Sequence, residues 1–241
     1  MRILKLWNPA VCPVFTYFHS ITTQSFDGEG EEMIQPPIEA ILYDLGNVIL
    51  PFDHFQIAEK LSRFSQKKEF QDPSGLFSYL FDFEEGAVNG YETGKVSSLE
   101  FFQSLREFLQ LSLSFEDFIP IWNEIFVENQ QVSQIILSQK GRWKLGLLSN
   151  TNSLHFDYVL SKFSIIRVFD RWILSHEAGS KKPAVEIFQK AIKWASVEAR
   201  RILFIDDMKK HVEVAASLGM HGIHFLSAGQ LREELSVKLG P

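Results

Sequence analysis

Cysteine is almost absent: Cys12 is the only one among 241 residues. A lone thiol excludes an intramolecular disulfide framework and a CxxC metal site, which makes a reducing cytoplasmic setting the simplest expectation. Net positive charge is also lacking. At −6, the chain as a whole repels nucleic-acid phosphates and anionic lipid, so neither nucleic acid nor membrane is an expected partner. The apolar N-terminus, "MRILKLWNPAVCPVFTYFHSITTQ", is broken by Asn8, Pro9 and Pro13 before it reaches the roughly 20 residues of a membrane span. It also has no small-residue cleavage site of the signal-peptide kind. A Gly/Glu/Pro-rich stretch, "FDGEGEEMIQPPIEA", comes next, so residues 1–36 are expected to be a loosely packed or disordered extension, with Met33 as an alternative first residue.

What is present suits one folded domain with an inserted subdomain, since 45% of residues are hydrophobic and 22% charged. From Ile38 onward, short apolar runs alternate with longer amphipathic stretches, the pattern of βα units on a mostly parallel sheet with helices on both faces. Strands are predicted at Ala40–Tyr43, Lys144–Leu148, Arg171–Leu174, Ile202–Ile205 and Gly222–Phe225. Pro183 is predicted in the first turn of the helix "PAVEIFQKAIKWA", and Gly219 closes "MKKHVEVAASLGM". Residues 54–130 interrupt the alternation with helical patterns such as "SSLEFFQSLREFLQL". They read as a helical insertion in an α/β core made of 37–53 and 131–241. Phe77, Phe81, Phe83, Phe101, Phe102 and Phe108 are expected to form its helix–helix core.

Four apolar runs stop where polar residues begin. "AILY" leads to Asp44, "KLGLL" to Ser149, Asn150, Thr151 and Asn152, "RWIL" to Ser175 and then Lys182, and "ILFI" to Asp206 and Asp207. Each alone is ordinary turn or capping chemistry. In open parallel sheets, however, ligands bind outside the carboxyl ends of the strands, where all four can meet.

In that order, "YDLGNVI", "LLSNTN", "GSKKPAVEIF" and "FIDD" resemble the motifs of the haloacid dehalogenase superfamily, from Ile38 to about Leu226. "DLGNVI" with "SNTNSLH" is most similar to a bacterial subgroup that includes glucose-1-phosphate phosphatases. The resemblance implies a Rossmann-like core with a helical cap over residues 54–130, and a Mg²⁺-dependent phosphomonoesterase that acts on a small phosphorylated metabolite as a monomer or homodimer. It implies that Asp44 is the nucleophile of an aspartyl-phosphate intermediate. It assigns Ser149 and the amide of Asn150 to phosphate binding, and Lys182, with Lys181 as competitor, to both phosphate and Asp44. Asp44, the Gly46 carbonyl, Asp206 and Asp207 would hold the metal. Such a pairing of hard carboxylates with a hard cation fits phosphoryl transfer, which needs charge neutralised on the transferring group.

Two departures stand out. Most phosphatases of this superfamily carry a second Asp two residues after the nucleophile as the general acid and base, a role worth about 10²- to 10⁴-fold; here that position is Gly46. A good leaving group, a substitute such as His54, His155 or His176, or lost turnover would each account for it. Downstream, His211 stands where the family often has Asn. Glu84, Glu85 and Glu92 in the insertion are candidates for sugar hydroxyls. A non-catalytic phosphate-ligand binder and a metal-independent 2-haloacid dehalogenase are the alternative functions.

Overall fold

The structure, a computed structural model, describes residues 37–82 and 84–240, so the expected N-terminal extension and Phe83 lie outside the described residues. Strands β1 (Ala40–Tyr43), β2 (Lys144–Ser149), β3 (Arg171–Leu174), β4 (Ile202–Asp206) and β5 (His221–His224) form one parallel sheet in the order β3-β2-β1-β4-β5. The chain steps outward from β1 through β2 to β3, then crosses to β4 on the other side. That crossing makes the gap between β1 and β4 a topological switch point, the place where such sheets leave a crevice.

The central strands β1, β2 and β4 are buried on both faces, which explains their near-continuous apolar runs, while the edge strands β3 and β5 are only partly covered. Alternation sends Ile41 and Tyr43 of β1 to one face and Ala40 and Leu42 to the other. On the first face they meet α6 (Gln130–Gln139), α7 (Ser153–Lys162) and α11 (Ala228–Leu239). On the second they meet α9 (Val185–Ala195) and α10 (Lys209–Ser217). In α9 the buried residues Ile187, Phe188, Ala191 and Ala195 trace one helical stripe. Gly219, at φ +88°, follows α10 in the left-handed conformation that glycine adopts without a Cβ penalty.

Several predicted boundaries shift: β2 and β4 each run one residue further, to Ser149 and Asp206, and β5 ends at His224. Strand β5 begins at His221 rather than Gly222, although Phe225 N–H still donates to the Asp206 carbonyl at 2.9 Å. Helix α9 starts at Val185, so Pro183 precedes the helix and is not in its first turn. A turn closed by Ala184 N–H to the Lys181 carbonyl (2.9 Å) keeps Lys182 out of the helix and free to project over the sheet end.

Between β1 and α6 the regular elements are helical: α1 (Phe55–Ser62), α2 (Pro73–Phe81), α3 (Val88–Glu92), α4 (Ser98–Leu109) and α5 (Phe115–Asn123). They share their own apolar cluster around Trp122, Phe118, Phe101 and Phe102. Phe77 and Phe81 pack against its edge. Phe108 departs from the expectation: it is 41% exposed, stacked on Tyr79 at 4.6 Å with Lys67 Nζ 4.0 Å from its ring centre. Helix α8 (Ser175–Ala178) follows β3 directly, and Ser175 bridges back to Thr151 through two hydrogen bonds of 2.9 Å.

Candidate active site

Strand register brings the polar ends together. Tyr43 is paired with Leu147 on one side and Ile205 on the other, and Asp44 N–H continues the ladder to the Ile205 carbonyl at 2.9 Å. Asp44 therefore emerges level with the end of β4, across the switch point from Asp206 and Asp207. Lys182 arrives from the β3–α9 connection and is fully buried. Its Nζ donates to Asp44 Oδ1 at 2.7 Å, Asp206 Oδ2 at 2.6 Å and the Leu148 carbonyl at 2.9 Å. Three protons thus meet three acceptors, the full donor capacity of an ammonium. Asn150 fixes the backbone beneath: its side chain accepts from Lys182 N–H at 2.7 Å and donates to the Lys182 carbonyl at 2.9 Å.

One ligand atom from each of Asp44, Asp206 and Asp207 lies within 4.8 Å of the others. Three carboxylates against one lysine leave an excess of two negative charges, which suits a divalent cation with oxygen ligands. The acids are not equivalent. Asp206 is fully buried and its oxygens accept from Lys182, from Met208 N–H at 2.8 Å and from His211 Nδ1 at 3.0 Å. Although burial opposes its ionisation, Lys182 and His211 hold its carboxyl below the usual range. Asp207 lines the crevice, its carboxylate accepts from Asn47 Nδ2 at 3.1 Å, and burial raises it. Burial pushes Asp44 up to about 7, against the pull of Lys182 and with added push from Asp206 and Asp207. A bound dication would favour the charged forms of both raised acids.

The crevice occupies about 250 Å³ and is lined by Asp44, Gly46, Asn150, Lys182 and Asp207. Asp206 is fully buried and does not itself line the crevice. Ser149 is likewise buried, and its hydroxyl donates to the Asn150 carbonyl at 3.3 Å rather than facing the opening. The Gly46 carbonyl accepts from Val48 N–H at 2.6 Å, which leaves one lone pair. A Cβ at Gly46 would fall 2.6 Å from Phe52 Cε1. An aromatic ring therefore occupies the space that a side chain at residue 46 would enter.

The three candidate histidines separate by environment. His155 is buried, with Nε2 donating to the Trp122 carbonyl (2.9 Å) and Nδ1 accepting from Asn152 (3.1 Å). It is a structural bridge between α5 and α7, and burial lowers it to about 3. His176 Nδ1 is 3.2 Å from the Thr151 carbonyl. His54 alone of the three lines the crevice.

The opposite wall comes from the insertion: Phe81, Asp82, Val88, Asn89 and Glu92. Lys181 reaches across to Asn89 Oδ1 and to Glu92 Oε2, the latter at 3.1 Å, so it serves this wall and leaves the acids to Lys182. Glu92 is thus in the crevice, whereas Glu84 and Glu85 are exposed and do not line it. Sequence reasoning missed Asn47, Phe52, Asp82 and Asn89. Asn47 had a signal: Gly46-Asn47 is a turn dipeptide, and Asn47 adopts φ +54°, a region where Asn is enriched. Phe52, Asp82 and Asn89 had none, because their place depends on how the insertion folds back.

The chain is similar over most of its length to known phosphatases and hydrolases. A D-ribitol-5-phosphate phosphatase of Bacteroides thetaiotaomicron is 27% identical over 214 residues, covering 84% of this chain and 98% of the relative. A solved haloacid dehalogenase family enzyme of the same organism, in complex with magnesium and inorganic phosphate, is 26% identical with a TM-score of 0.69, covering 80% of this chain and 96% of that one. A predicted hydrolase of this kind from Porphyromonas gingivalis shares the fold at 22% identity and a TM-score of 0.70, over 83% of this chain and 98% of its own. The model for haloacid dehalogenase-like hydrolases matches residues 81–225, well over half of the sequence, and the chain belongs to that family.

Proposed function

We propose that this chain is a Mg²⁺-dependent phosphomonoesterase that hydrolyses a small polyol or sugar phosphate through an aspartyl-phosphate. The observation that carries the reading is the Asp44–Lys182–Asp206 bridge at the switch point, with Asp207 beside it and an excess of two negative charges. A binder of phosphate alone has no use for a carboxylate aimed into the anion's own site, since like charges repel unless an attack is to follow. Asp44 attacks phosphorus in line, and Lys182 keeps its carboxylate oriented while offering charge to the phosphoryl oxygens. The amide at Asn150 and a rotated Ser149 hydroxyl complete phosphate binding. Asp44, Asp207 and the free lone pair of the Gly46 carbonyl would hold Mg²⁺, with Asp206, already saturated by protein donors, acting through orientation or water. When bound, the cation neutralises charge on the transferring group.

Helices α1–α5 act as the cap that selects the substrate. Asp82, Asn89, Glu92 and Lys181 present acceptors and donors suited to hydroxyl groups; the Bacteroides structure in complex with magnesium and inorganic phosphate supports the cofactor, and the likeness to a D-ribitol-5-phosphate phosphatase supports the substrate class. The test is a phosphate-release assay with Mg²⁺ on D-ribitol 5-phosphate, other primary sugar phosphates and glucose 1-phosphate. Wild type is expected to turn over at least one ester, with loss of activity in Asp44→Asn and on chelation. Equal inactivity of wild type and Asp44→Asn on every ester would overturn the reading. Preference for glucose 1-phosphate over primary esters would favour the anomeric-leaving-group subgroup.

A further inference from the structure

The crevice leaves one chemical role without an obvious side chain, because Gly46 offers none and Phe52 blocks the space beside it. We propose that His54 is the proton carrier of this site, taking a proton from the hydrolytic water and giving it to the leaving oxygen. The proposal rests on the phosphatase reading above and supplies its missing catalytic residue.

His54 lines the same crevice as Asp44, Lys182 and Asp207. Its ring is clamped: it stacks on Phe81 at 4.2 Å and 6°, and meets Phe52 at 4.4 Å. The residue that closes the usual position of the acid therefore also holds the substitute. Aromatic packing fixes the ring without using its nitrogens, and no hydrogen-bond partner for either nitrogen exists among the described residues. A polar edge at a crevice wall without a protein partner is the condition for meeting a substrate or water.

The competing groups are engaged. His155 and His176 are committed to backbone carbonyls, and His211 spends Nδ1 on Asp206 while its Nε2 is sealed from solvent. Glu92 is paired with Lys181, and Asp82 Oδ1 accepts from the amides of Glu84 and Glu85 at 2.9 and 2.8 Å. The titratable groups around His54 are Asp53 next to it, His155 at 6.0 Å, and Asp44, Asp82, Glu92, Lys181, Lys182, Asp207 and His211 along the same crevice. Burial lowers the free ring to about 4, so it stands ready as a base, and a phosphate dianion against it favours the imidazolium needed for the acid step.

The protons balance. In the first step the Asp44 oxygen bonds to phosphorus, the bond from phosphorus to the ester oxygen breaks, and imidazolium protonates the departing oxygen to give alcohol and a neutral ring. In the second, water oxygen bonds to phosphorus, the Asp44–phosphorus bond breaks with its electron pair returning to the carboxylate, and the ring accepts the water proton. Hydrogen phosphate leaves and the imidazolium is restored.

The experiment is rapid-quench and steady-state kinetics with Mg²⁺ on wild type, His54→Gln and His54→Ala, using 4-nitrophenyl phosphate and D-ribitol 5-phosphate. Nitrophenolate departs without a proton, so His54→Gln is expected to release a stoichiometric burst of it while steady turnover falls by about 10²-fold or more. On the polyol ester the burst should vanish, and added imidazole should restore turnover to His54→Ala. Turnover by both His54 variants equal to that of wild type on both esters, or an equal loss on both without burst or imidazole rescue, would overturn the role of His54 while leaving the phosphatase reading intact. Inactive wild type on every ester would overturn that reading and this inference with it. If His54→Gln fails to fold, imidazole rescue of His54→Ala and an acid placed by Gly46→Asp with Phe52→Ala in that background take its place: no gain from either overturns the proposal.

Discussion

At the carboxyl ends of the strands, Lys182 is held to Asp44 and Asp206 at 2.7 and 2.6 Å, whereas in the helical insertion Trp122 meets Phe118 and Phe101 ring to ring at 5.3 and 5.1 Å. The first network is directional and charged, so removing one member strands the others. The second is largely non-directional, and a ring can shift to take up part of a loss. The contrast teaches that one end of the crevice is built to keep atoms in place and the other to tolerate change, as a surface that chooses among substrates must.

The sharpest way to break the comparison is Lys182→Met. Two carboxylates would remain in a buried site with no cation, and unfolding by denaturant at pH 8 should show a loss of about 3–5 kcal/mol. Adding Asp44→Asn and Asp206→Asn should recover most of that stability without activity. Trp122→Ala should cost a similar amount, about 3–5 kcal/mol, from the cavity it leaves. No second substitution of a polar partner should recover it. A Lys182→Met cost under about 1 kcal/mol, or no recovery in the triple variant, would mean that the charged network is not strained by its own desolvation.

Most of the directional half was legible in the sequence because strand ends are. Asp44, Asn150, Asp206 and Asp207 each follow an apolar run, and parallel register carries them to one edge, whereas Lys182 reaches that edge only through the turn and the Asn150 contacts after β3. The preference for Lys182 over Lys181 came from the family resemblance, whose lysine precedes the proline; in the structure Lys182 meets Asp44 and Asp206 while Lys181 meets Asn89 and Glu92. Which way a side chain points was not legible. Ser149 was read correctly as a strand end, yet its hydroxyl turns to the Asn150 carbonyl. Phe52 beside Gly46 and the separation of His54 from His155 arise from packing between the insertion and the sheet, which periodicity does not encode. Phe108 shows the same limit, since apolar spacing on α4 does not say that Lys67 and Tyr79 will cover it from outside.

A pH series sharpens the boundary between the halves, because His155 sits on it. Its ring is held neutral by burial, near 3 against an ordinary 6.5. Above 6.5 neither the folded nor the unfolded chain protonates it, and its contribution to stability is fully present. As pH falls toward 3, the unfolded chain takes up a proton that the folded chain refuses, and stability drops by about 1.4 kcal/mol per pH unit. His155→Gln keeps an amide donor for the Trp122 carbonyl and removes the titration. The difference in unfolding free energy between wild type and this variant should therefore shrink between about pH 6 and 4. A difference that stays constant with pH would show that His155 accepts its proton in place.

The smallest effect tests whether the insertion's own stability reaches the crevice. Ser97 opens α4 with a capping box: its hydroxyl accepts from Glu100 N–H at 3.3 Å while Glu100 Oε2 accepts from Ser97 N–H at 2.8 Å. Ser97→Ala removes the first bond and should cost about 1 kcal/mol, read as a lower melting temperature. Helix α4 also carries Ser98, whose hydroxyl joins those of Tyr91 and Ser153 at 2.8 and 2.9 Å, so it touches the core just beyond the sheet end. If the aromatic interior absorbs local change as non-directional packing does, turnover by Ser97→Ala should equal that of wild type well below the melting point. A tenfold loss of turnover at unchanged fold would show instead that the tolerant half is mechanically tied to the rigid one through those three hydroxyls.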